Sequence, residues 1–421
     1  MKALIGIALR SLANRRLTVG LTVAGLTVSV ALLLGVEQAR KAAREGFVQT
    51  ISGTDLIVGA RSSPIQLLLY SVFHIGNATN QVSWESYRTI ADSDLVAWTV
   101  PIALGDSHRG HRVMGTTEAL FEHYRYAGSR RLAFAEGEAF AGVFDAVLGA
   151  DVAERLGYTL DERIVVSHGI AARSFLDHDD KPFRVTGILQ PTGTPIDRSV
   201  LVTLEGIEAI HIDWGQGRPP TPSERISAEE ARRMDLQPEA ITAFLVGLES
   251  RVATFRLQRA INDYPDEPLS AILPGVALSQ LWRVIGTVEQ VLLAISACVV
   301  LAGLIGMVTT LLTSLNERRR EMAILRAVGA RPQHVFVLFV LEATAIGSAA
   351  AVLGAGLVFG GFWLGAEPLG RATGIYLRPV PPGTSEALIL ALVVGASALA
   401  GTLPAWRAFR TSLADGLSIR L

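Results

Sequence analysis

Few side chains in this 421-residue chain are placed to do chemistry. Seven of its eight histidines (His74, His108, His111, His123, His168, His178 and His211) fall between residues 37 and 286, where clustered imidazoles would suggest a metal centre. The most suggestive group is His178 beside Asp177, Asp179 and Asp180. His108 and His111 are three apart on what reads as a strand and turn, which sends them to opposite faces, and no HxxxH or HExxH spacing occurs. The expectation is solvated or hydrogen-bonded histidines, and no metal ligand and no catalytic residue is assigned. No nucleophile elbow is found. Cys298, the one cysteine, lies in an apolar run, excludes an intramolecular disulfide and reads as a packing residue.

The lysines exclude a further class. There are three, Lys2, Lys41 and Lys181, and none follows a glycine. A phosphate-cradling loop needs glycines for close backbone approach and a lysine for the terminal phosphates. The sequence therefore supplies no usual nucleotide site, and if ATP drives the protein, ATP and Mg are bound by a partner subunit. With a net charge of −1, half the residues apolar and a mean hydropathy of +0.37, the composition fits a membrane protein with a large soluble part and not a nucleic-acid binder.

The elements that would position these residues follow from hydropathy. Apolar runs at 17–36, 287–315, 335–364 and 386–406 are each long enough to cross a bilayer, which takes about 20 residues. The first is too long for a signal-peptide core and is not closed by a cleavage pattern, so it is expected to be retained. Residues 1–16 carry four basic side chains, 316–334 carry five arginines and 407–421 three, against Arg371 and Arg378 in 365–385. The positive-inside rule then puts both termini and 316–334 in the cytoplasm, and 37–286 and 365–385 outside. Glu342 lies inside the third run. One carboxylate without a second ionisable group in the run suggests helix packing or a partner contact before a proton relay. Gly356 and Gly360 are spaced for close helix approach.

Residues 316–334, NERRREMAILRAVGARPQH, read as a short amphipathic helix stopped by Gly329 and Pro332. A loop that only had to stay in the cytoplasm needs no apolar face, whereas a helix docking into a partner's groove does. The run ERRREMAILRAVGA closely resembles the signature after the second transmembrane helix of MacB/LolC/FtsX-type permeases, the membrane subunits of type VII ABC systems. LGADVAERLGYTLDERIVV (148–166), FRVTGILQPTGTPIDRSVLV (183–202) and the ending LPAWRAFRTSLADGLSIRL resemble the same family.

The resemblance implies a four-helix membrane protein with a large α+β domain of two subdomains and stalk helices inserted between helices one and two. It implies a coupling helix that contacts a cytoplasmic ATP-binding subunit through Glu317, Arg318, Arg319, Arg320, Glu321, Ile324, Leu325, Arg326, Gly329 and Ala330. It further implies two ATPase copies, a second permease subunit making a homodimer, location in the bacterial inner membrane, and no enzyme activity in this chain. The expected role is mechanotransmission for export or extraction of a lipoprotein, peptide or hydrophobic molecule. The alternative is an FtsX-like regulator that transports nothing and switches a periplasmic enzyme or binding protein, with a metal-linked version of either.

Within 37–286, strands are expected at 55–58, 95–104, 111–115, 241–248 and 269–273, helices at 83–90 and 251–261, a turn at Gly105-Asp106 and a polar loop at 215–227. The β-α-β order at the end suggests a subdomain formed from both sides of a middle one. Gly193, Pro195 and 64–73 face either substrate or ordinary turn and packing duties.

Overall fold

The computed structural model describes residues 2–169, 178–214, 220–221, 223–317, 319–373 and 381–410. Two compact units emerge, Met1–Ala43 with Ile285–Leu421, and Arg44–Val284.

The first unit is helical. Four helices are long and apolar enough to cross a membrane, with spans at Arg16–Gly46, Pro274–Leu315, Pro332–Gly365 and Thr384–Arg410. A helix at Lys2–Asn14 precedes them, where the sequence suggests only a short basic terminus. Its signal was the four-residue spacing of Leu4, Ala8 and Leu12, and Ala8 and Leu12 indeed pack into the bundle. That helix also explains Glu342. Fully buried, the carboxylate accepts a hydrogen bond from Ser11 Oγ at 2.5 Å and pairs with Arg15 Nη2 at 3.4 Å. A second clasp joins the first and last spans, where Lys41 Nζ lies 2.8 Å from the buried Glu386 and 2.6 Å from Ser385 Oγ.

Close helix approach uses other glycines than those expected. Among the described residues nothing lies within 4 Å of where a Cβ at Gly356 or Gly360 would stand. A Cβ at Gly347 would collide with Ser397, at Gly354 with Val30 and at Gly401 with Ala343. These tight contacts run from the third span to the fourth and the first, and among the described residues the Gly356/Gly360 face is open.

The second unit is α+β, around an eleven-stranded mixed sheet. Its backbone is the long strand Val96–His108. The first half pairs antiparallel with Ala243–Leu248, which pairs with Leu56–Ala60, itself paired with Leu269–Ile272. The second half pairs with His111–Thr116, and the sheet continues through Ser199–Thr203, Asp145–Leu148 and Phe183–Leu189 to Phe134–Gly137. Segments from both ends of the unit therefore close one half around Leu56, Val58, Phe244, Val246 and Ile261. The middle segment closes the other around Phe144, Leu148, Phe183, Val185 and Ile210.

One element departs from the expected turn. Gly105-Asp106 is a bulge inside a continuous strand, with the register shifting between Leu104 and Ser107. The hairpin turns at Arg109-Gly110, both at positive φ (45° and 83°), between partners His108 and His111. Two successive positive-φ residues match the strand twist at a two-residue hairpin. Residues 64–72 form a helix capped by Ser63, with Leu67, Leu68 and Tyr70 buried, and Gly193 (φ 72°) opens a turn into the 3-10 helix Pro195–Arg198. Both have sufficient local reasons for their residues.

Candidate functional site

The bulge matters because it re-aims a side chain, as bulges do. Asp106, 4% exposed, points to a place reached from three other directions. His168 is its cross-strand partner on the two-residue strand Ser167–His168. His211 ends the helix Leu204–His211, whose Thr203 cap holds the amide of Gly206. His178 is anchored by its backbone N–H to the Val166 carbonyl at 2.9 Å. One ligand atom from each of the four residues lies within 4.8 Å of the others. Trp214 packs beside them, its ring centroid 4.4 Å from that of His178 and tilted by 45°.

His168 Nδ1 stands 3.3 Å from Asp106 Oδ1 and 3.2 Å from His211 Nε2, and His211 Nε2 stands 3.6 Å from Asp106 Oδ1. His211 Nδ1 lies 2.8 Å from the Ile207 carbonyl, so it donates there and turns Nε2 inward. His178 is fully buried, yet among the described residues neither ring nitrogen has a hydrogen-bond partner. Burial and the neighbouring His211 push its pKa down to about 4, so the ring is neutral at pH 7. Burial works to raise the Asp106 pKa, but the neighbouring His168 and His211 rings hold it well below the carboxylate range. Burial likewise lowers His211, and Asp106 more than offsets it.

The loops bearing His178 and Trp214 are joined by a buried ion pair. Lys181 Nζ, fully buried, lies 2.8 Å from Asp213 Oδ2 and 2.9 Å from Asp180 Oδ2. Among the described residues His178 thus meets distant partners: Asp180 is taken by Lys181, Asp179 is exposed, and Asp177 lies outside the described residues. The remaining histidines have their own partners. His108 contacts the Val165 carbonyl and Tyr158 Oη, His111 the Arg198 carbonyl, and His74 the Ser199 hydroxyl, while His123 stacks on Trp98.

In the helical unit, a separate short helix covers Arg319–Ala327. Its end is a Schellman arrangement: the Ala330 amide bonds the Leu325 carbonyl at 2.9 Å and the Gly329 amide the Arg326 carbonyl at 3.1 Å, with Gly329 at φ 106°. Pro332 then starts the next helix. Met322 and Ala323 are buried and Leu325 is partly buried, with Met322 and Leu325 packing near Leu315, Phe339 and Ala405. Ile324 is 53% and Val328 84% exposed, four residues apart on the other side. Glu321 and Gly329 are also exposed, and Arg326 and Ala330 are partly buried. Arg318 lies outside the described residues, and so do the side chains of Glu317, Arg319 and Arg320.

The MacB-like periplasmic core domain family matches residues 19–264, and the FtsX-like permease C-terminal family matches 293–413. The chain belongs to the MacB/FtsX-type family of ABC transporter permeases. The macrolide export ATP-binding/permease protein MacB of Nitrobacter winogradskyi is 24% identical over 98% of the chain and 59% of that protein. MacB of Azoarcus sp. is 22% identical over 84% and 51%. The pyoverdine export ATP-binding/permease protein PvdT of Pseudomonas savastanoi pv. phaseolicola is 25% identical over 61% and 36%. The chain thus spans about half the length of the MacB relatives it matches. With four apolar helices, this family member is a membrane protein.

Proposed function

We propose that this permease transmits ATP-driven motion from a separate cytoplasmic ATP-binding subunit to its outer domain, through residues 316–334. The observation that carries the reading is the two-sided helix Arg319–Ala327. One side, with Met322 and Ala323, is fixed in the bundle core, so a push on the helix moves the bundle. The other side offers Ile324 and Val328, an apolar i, i+4 pair suited to a groove on a soluble partner. The arginine distribution supports cytoplasmic termini and a cytoplasmic coupling helix in a bacterial inner membrane.

The export relatives carry ATP-binding and permease functions under one name, which supports an ATP-binding partner; the assembly assigned to it is an ATPase pair working with a permease pair. The open Gly356/Gly360 face is the surface assigned to the second copy. The cargo is assigned to the class of lipoproteins, peptides and hydrophobic molecules, which accommodates the macrolide and pyoverdine named for the relatives.

The test is a pull-down from detergent-solubilised membranes, comparing wild type with Ile324→Asp/Val328→Asp. An ATP-binding subunit recovered with wild type and lost from the variant is expected. Its retention by a variant that elutes and melts like wild type would overturn the reading.

A further inference from the structure

We propose that Asp106, His168, His178 and His211 form a binding site for one divalent transition metal ion, zinc being the best chemical fit. Four donors about 2.0–2.2 Å from a tetrahedral ion stand about 3.3–3.6 Å from each other. The three separations among Asp106 Oδ1, His168 Nδ1 and His211 Nε2 are 3.3, 3.2 and 3.6 Å, already at that scale. These atoms converge on one point, which a cation or a shared proton can occupy.

His178 decides between the two. A proton shared by Asp106, His168 and His211 leaves both His178 nitrogens, in a fully buried ring, without a partner among the described residues. An unsatisfied buried polar group loses its hydration without a compensating bond, which destabilises the fold. A four-coordinate ion uses that lone pair together with the other three.

The donor set selects the metal. Three imidazoles and one carboxylate suit zinc and its borderline neighbours, whereas calcium and magnesium take mainly oxygen. The Ile207 carbonyl on His211 Nδ1 is the outer partner that fixes a ligating tautomer. Lys181, near the site, brings no uncompensated charge because Asp180 and Asp213 both hold it. Four protein ligands make a closed site, which points to holding metal rather than catalysis. The half-exposed His168 gives the ion a way in. Binding ties the sheet, the helix Leu204–His211 and the loop at His178 together, so metal occupancy would set the rigidity of this half of the outer domain.

The experiment uses the full chain in detergent, carrying a tag without histidines, stripped with EDTA and titrated with zinc against a chromophoric chelator. One tight equivalent per chain is expected, with a raised melting temperature, tetrahedral d–d absorption when Co²⁺ is used, and a change in Trp214 fluorescence. His178→Asn should weaken zinc at least about 100-fold, more than the 10–100-fold typical of losing an outer partner. His168→Gln, which leaves the core intact, should also lose the tetrahedral signature. His108→Asn should keep zinc affinity, because His108 is held by Tyr158 and Val165. Failure of wild type to take up zinc, or unchanged affinity in both the His178 and His168 variants, would overturn the proposal. The readout is independent of any ATPase, so its failure and that of the coupling reading are separable.

Discussion

The coupling segment and the histidine cluster are assembled in opposite ways. Residues 316–334 are contiguous, and their geometry follows from rules acting over one or two turns: an amphipathic helix, a glycine stop and a proline start. The cluster draws Asp106, His168, His178 and His211 from four places spread over more than a hundred positions. Only the sheet register, the bulge and a helix end bring them together. A site made by local chemistry should fail locally, and a site made by topology should fail with the packing around it.

The largest expected effect tests the second half of that contrast. Lys181 is fully buried against Asp213 and Asp180. Lys181→Met leaves Asp213 buried without its cation, and breaking such a pair by removing one partner costs about 3–5 kcal/mol. The outer domain should melt earlier and bind zinc more weakly, while co-purification with an ATP-binding subunit persists. Loss of the ATPase with zinc binding intact would reverse the assignment of these parts. Lys181→Met/Asp213→Leu should be milder than the single variant, because the fully buried charge is gone and only the part-exposed Asp180 loses its partner.

The same contrast explains what could be read from sequence. Four spans, the large inserted domain and its two-part construction were legible because apolar run lengths and β-α-β order are local signals. The stop at Gly329 was legible for the same reason. The role of Asp106 was not. Gly105-Asp106 has the composition of a turn, and only the pairing of His108 with His111 across Arg109-Gly110 shows that the chain passes straight through it. Nor could spacing pair His168 with Asp106, since their contact is a strand register. Gly356 and Gly360 carry the right spacing, but which glycines touch a helix depends on rotation within the bundle.

His74 is a smaller test, because it is a part-buried histidine outside the cluster. Its Nδ1 lies 3.0 Å from Ser199 Oγ, and burial with the nearby Arg112 pushes its pKa down to about 4. The unfolded chain takes up a proton near pH 6.5 and the folded one does not until about 4. Stability is therefore undiminished above about pH 6.5 and falls as pH drops through that window, by about 1–3 kcal/mol. His74→Gln should flatten the melting temperature between pH 7 and 5 relative to wild type, with EDTA present in both. An unchanged slope would place the acid sensitivity in the cluster instead.

The smallest effect belongs to the coupling segment. Gly329 has φ 106°, where a side chain is strained although nothing lies within 4 Å of its added Cβ. The cost of Gly329→Ala is thus conformational and should be about 1–2 kcal/mol, confined to one helix end. The Schellman bonds from Ala330 and Gly329 should loosen, seen as faster hydrogen exchange at those amides. Ile324 and Val328 would then be presented less rigidly, and ATP-binding subunit recovery should fall several-fold without being lost. Zinc affinity and outer-domain melting should not change, because nothing local to Gly329 belongs to the sheet. If they do change, the two regions are coupled more tightly than their separate construction implies, and the metal site becomes a reporter of the same motion that the short helix transmits.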